Sequence, residues 1–60
     1  MMFKVSIMRI AIPQPLTSVI YATSLPEARI VASEEMAKAD RVGYKIEDDA
    51  GNIIQKWGSV

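Results

Sequence analysis

Sixty residues with neither cysteine nor histidine, and with seven basic side chains balanced by seven acidic ones, exclude several kinds of protein at once. There is no disulfide framework, no thiol or imidazole nucleophile, and only carboxylates from which to build a zinc site. The missing basic excess disfavours nucleic acid as a partner, while a hydrophobic content of 50% makes the chain one folded domain over residues 1–60.

The first strand is expected from about Met2 to Ile12. Phe3, Val5 and Ile7 alternate as on a half-buried strand, but past Met8 the apolar residues change parity to Met8, Ile10 and Ile12. Either both faces of this strand are covered, or a bulge near Ile7-Met8 turns all six side chains to one core. Pro13-Gln14-Pro15 ends it, because proline donates no ladder hydrogen bond. Residues 16–23, LTSVIYAT, are rich in β-branched side chains and read as a second, antiparallel strand.

From Ser24 the period becomes helical. Ser24 and Glu27 fit a capping box, and Pro26 stands in the first turn. Leu25, Ala28, Ala32, Met36 and Ala39 form one stripe with Val31 on its flank, and Glu34 and Lys38 are placed for an i,i+4 ion pair. Gly43 is the expected helix exit. A hairpin follows: Asp48-Asp49-Ala50-Gly51 is a type I turn with glycine in the left-handed position. With Asp48 opposite Asn52, an unbroken register sets Ile46 against Ile54 and Tyr44 against Lys56. Ile53 and Trp57 then share a face with Lys45 and Glu47.

These elements predict an α+β fold, a single ββαββ domain whose four-stranded, mainly antiparallel sheet carries one helix on one face. One helix leaves the second face uncovered, yet strands 1 and 4 bring apolar residues to it. A patch of that kind marks an interaction site. The expected contact residues are Met8, Ile10, Ile53 and Trp57, with Ile30 as a separate apolar spot on the outer side of the helix.

Catalytic chemistry finds no support in the residues. Gly43, Gly51 and Gly58 are too scattered for a phosphate loop. The acidic pair Asp48-Asp49 lacks the ligand spacing of a calcium loop. No cofactor is expected, and the chain is read as a non-enzyme. Phe3, Tyr21, Tyr44 and Trp57 beside Lys4, Lys45 and Lys56 offer a weak single-stranded nucleic-acid surface as an alternative. No segment reads as a signal peptide or a membrane span, so a cytoplasmic protein is expected.

By layout, SLPEARIVASEEMAKA followed by GYKIEDDAGNIIQKW resembles small bacterial and phage-encoded proteins that join a strand, an alanine-rich helix and a terminal hairpin. Some anti-CRISPR inhibitors share that organisation. The resemblance implies a binding role, as a homodimer or as a phage or mobile-element inhibitor of a larger host protein complex. It carries over no site residue.

Overall fold

The computed structural model describes residues 2–11 and 13–58. Its elements run β1 (Phe3–Arg9), β2 (Leu16–Ala22), α1 (Leu25–Met36), β3 (Arg41–Glu47) and β4 (Ile53–Gly58). All strand pairs are antiparallel, in the order β2-β1-β3-β4. This is the expected ββαββ domain, with the helix returning the chain across β1 from one side of the sheet to the other.

Register decides which side chains meet the helix. Val5 lies between Ile20 and Ile46, and Ile7 between Ser18 and Tyr44. Alternation therefore puts Phe3, Val5, Ile7, Ile20, Ala22, Tyr44 and Ile46 on the helix side. Val5, Ile7, Ala22 and Ile46 are buried there against Ala28 and Ala32, with Phe3, Leu25, Val31 and Tyr44 packed around them. Two alanines at the contact let the helix backbone come close to the sheet, so the core is thin and its largest buried side chains are Ile7, Ile46 and Val5.

The helix begins as its sequence requires. The Ser24 hydroxyl accepts from the Glu27 amide at 3.2 Å, and Pro26 sits where no intrahelical donor is needed. The Glu27 carboxylate, however, reaches back to Thr23 rather than Ser24, accepting from its hydroxyl at 2.7 Å and its amide at 3.3 Å. Those two bonds hold the Glu27 carboxyl below its ordinary pKa.

Several expectations need correction. β1 stops at Arg9, and its register with β2 is unbroken throughout, so no bulge lies at Ile7-Met8. The bulge is across the sheet, where Val42 of β3 has no partner between Gly43, opposite Met8, and Arg41, opposite Arg9. Ile10 is already beyond the ladder, its amide bound to the Asp40 carbonyl at 2.8 Å, and Ile12 lies outside the described residues. The parity change marks the end of the strand, not a two-faced strand.

The helix is also shorter than its stripe. It ends at Met36 with Ala37 as C-cap, so Ala39 is in the connection and Gly43 in β3. Lys38, no longer helical, bonds Glu35 at 2.9 Å instead of Glu34. Arg41 joins the same carboxylate at 3.2 Å and also pairs with Asp40. The Lys38 and Arg41 hydrogen bonds lower the Glu35 pKa.

The hairpin turn forms as expected but its register does not. Asp48 opposes Asn52, and Gly51 has φ of +87°. Between Glu47, opposite Ile53, and Ile46, opposite Gln55, the residue Ile54 is extra. This bulge shifts the rest of β4 by one, so Tyr44 faces Trp57 and Lys45 faces Lys56. Trp57 is therefore on the helix side of the sheet, not beside Lys45 and Glu47, whereas Ile53 keeps its place next to Glu47.

Candidate functional site: the flank of strand β4

The footprint of α1 covers β1, β2 and β3 but stops short of β4. What bridges the gap is a chain of side-chain hydrogen bonds. Arg29 on the helix donates its Nε–H to the Gln55 Oε1 at 3.2 Å, and the Gln55 amide nitrogen donates to the Tyr44 hydroxyl at 2.6 Å. These bonds tie helix, β3 and β4 together along the floor of a groove of about 600 Å³. Arg29, Ser33, Met36 and Ala37 form its helix wall, and Tyr44, Gln55 and Trp57 its sheet side.

Alternation explains the sheet side of this groove. Gln55 and Trp57 are two residues apart and share a face, and both meet the helix side because the Ile54 bulge precedes them. Trp57 is 59% exposed, a large apolar ring on an edge strand with no element above it. Ile30, 60% exposed on the helix, is not one of the residues that line this groove.

The opposite, open face is different in character. Its cross-strand rows run Tyr21–Lys4–Glu47–Ile53, Val19–Ser6–Lys45–Lys56 and Thr17–Met8–Gly43–Gly58. Three lysines thus stand against one carboxylate, Glu47, which Lys45 approaches at 3.8 Å. Ser6 is buried at the centre of this face, shaded by the longer side chains flanking it.

The five expected contact residues do not form one surface. Met8 and Ile53 are both on the open face, but in rows set about 13 Å apart along the strands. Trp57 belongs to the groove on the other side, Ile30 is exposed on the helix outside that groove's lining, and Ile10 lies past the end of β1. The aromatics and lysines proposed as a nucleic-acid surface are divided in the same way. Tyr21 accompanies the lysines, whereas Phe3, Tyr44 and Trp57 are on the helix side.

Sequence reasoning missed Arg29, Ser33, Met36, Tyr44 and Gln55 as parts of one site. The usable signal was the i,i+2 spacing of Gln55 and Trp57 opposite Tyr44, hidden by the bulge. Among the described residues no helix is long and apolar enough to cross a membrane, and no group of three or more acidic side chains is placed to hold a metal ion. No family model matches the chain, and neither a curated protein nor a solved structure matches it.

Proposed function

We propose that this chain is a small non-enzymatic protein–protein interaction module that self-associates, as a dimer, through the β4 edge and the apolar side chains on it. The observation carrying the reading is the position of β4 outside the helix footprint, with Ile53, Ile54 and Trp57 all exposed on one edge strand that is paired on its β3 side alone. An exposed apolar edge offers both backbone hydrogen-bonding groups and hydrophobic surface to a second chain. Burial contributes roughly 25 cal/mol per Å² of apolar area, against the entropic cost of association.

The edge is a better self-association surface than the open face. Lys45 stands directly opposite Lys56, with Lys4 nearby, so stacking two open faces would bring like charges together. A foreign protein, such as the target of a phage or mobile-element inhibitor, is the alternative occupant of the same edge.

Light scattering after size exclusion, over a wide concentration range, tests the proposal. The parent should show a dimer that dissociates on dilution, and both Trp57→Ala and Ile53→Asp should shift dissociation to higher concentration. A parent that stays monomeric throughout, or variants that associate as the parent does, would refute it.

A further inference from the structure

The groove beside β4 presents hydrogen-bond donors and one positive charge. The Gln55 carbonyl is taken by Arg29, and its amide nitrogen donates to Tyr44, so Gln55 turns its acceptor towards the helix. Having accepted that bond, the Tyr44 hydroxyl keeps its own proton to donate. An incoming group therefore meets the Arg29 guanidinium and the hydroxyls of Tyr44 and Ser33, with Trp57 beside them. No carboxylate lines the groove, and Arg29 takes part in no ion pair among the described residues. The remaining wall, Met36 and Ala37 with the Trp57 ring, is apolar.

We infer that this groove seats an acidic side chain of an extended peptide that adds to the β4 edge, with an apolar side chain two residues away resting on Trp57. Strand addition reads the partner by alternate side chains. Gln55 and Trp57 are successive residues on the groove face, roughly 7 Å apart. A strand laid beside them sets its own i and i+2 side chains next to the same two positions, about 5 Å further out, from where a long side chain leans over them into the groove. One meets the donors around Arg29, where a carboxylate gains charge-assisted hydrogen bonds. The other meets the indole.

The chemistry points away from a second copy as the source of the acid. Neither edge strand of this chain, LTSVIYA in β2 or IIQKWG in β4, contains a carboxylate. The inference rests on β4 being a contact edge, as proposed above, and not on a second copy occupying it.

Trp57 is the only tryptophan, so its fluorescence reports directly on the groove. The probe is the capped peptide Ser-Thr-Glu-Thr-Phe-Thr-Ser, compared with the same peptide carrying Gln for Glu. Titrations are made at a protein concentration where light scattering shows monomer. The Glu peptide should give a saturable change and bind about tenfold more tightly than the Gln peptide. In Arg29→Gln, an exposed-site variant whose folding circular dichroism confirms, that preference should vanish while Gln-peptide binding stays as in the parent. Equal affinity for the two peptides, an undiminished preference in Arg29→Gln, or no saturable change with either would overturn the acidic seat. Self-association is scored separately by the light-scattering result, so either reading can fail alone.

Discussion

Asp48 holds the β3–β4 turn with its side chain as well as its backbone. One carboxylate oxygen accepts from the Ala50 and Asn52 amides, both at 2.9 Å, and the other from the Asn52 side-chain amide at 3.1 Å. The Asn52 and Ala50 bonds keep its pKa below the ordinary 3.8. A depressed folded pKa means that the stabilisation is present above the ordinary value and is lost as pH falls through the folded one. Glu27 and Glu35, held below 4.5 by Thr23 and by Lys38 with Arg41, act with the same sign. The thermal midpoint should therefore fall between about pH 6 and about pH 2. Asp48→Asn, which cannot titrate, should start from a lower midpoint and lose less of it on acidification. Parallel pH curves for parent and variant would show that the carboxylate's charge contributes nothing to the turn.

Among the elements, the contact between α1 and the sheet is decided by few side chains. Ile46 is fully buried beside Val5 in the core under Ala28 and Ala32, whereas Ile30 on the same domain is mostly exposed. Ile46→Ala should cost about 2–5 kcal/mol. A single core of this size rarely supplies more than ~3–5 kcal/mol, so that variant should be largely unfolded at 25 °C. Ile30→Ala should stay within about 0.5 kcal/mol of the parent. Urea unfolding followed by circular dichroism distinguishes them, and an Ile46→Ala cost below about 1 kcal/mol would mean that the core relaxes around the gap. The start of α1 was legible because Ser24, Pro26 and Glu27 act locally. Its end was not, since Ala39 continues the apolar period on paper while adding almost no surface to bury. The β4 register was illegible for a related reason. Consecutive Ile53 and Ile54 carry no parity, so nothing in the sequence says that one of them is extra. The groove was further out of reach, because it arises from a helix that spans three strands of a four-stranded sheet, and no local pattern encodes a footprint.

At the scale of the whole molecule, stability and association are linked. A 60-residue chain is marginal on its own, and here the order β2-β1-β3-β4 leaves an apolar edge that helix α1 does not cover. Whatever binds the folded state but not the unfolded one stabilises it by mass action. For a monomer–dimer equilibrium well above its Kd, free monomer grows as the square root of total protein. Each tenfold rise in total concentration then adds about 0.7 kcal/mol per protomer, half of the ~1.4 kcal/mol that a tenfold change in a free ligand gives. In a domain this small, that moves the thermal midpoint by roughly 3–6 °C. The parent's midpoint should rise by that amount per decade of concentration, while Trp57→Ala shows a flat midpoint near the parent's dilute value. The flat line is the informative half. Because Trp57 is mostly exposed in the single chain, its removal should leave the isolated fold nearly intact and abolish only the concentration dependence. A midpoint that rises equally in both proteins would place the contact away from β4. A variant that is uniformly less stable at every dilution would make Trp57 part of the core's support, not of an interface.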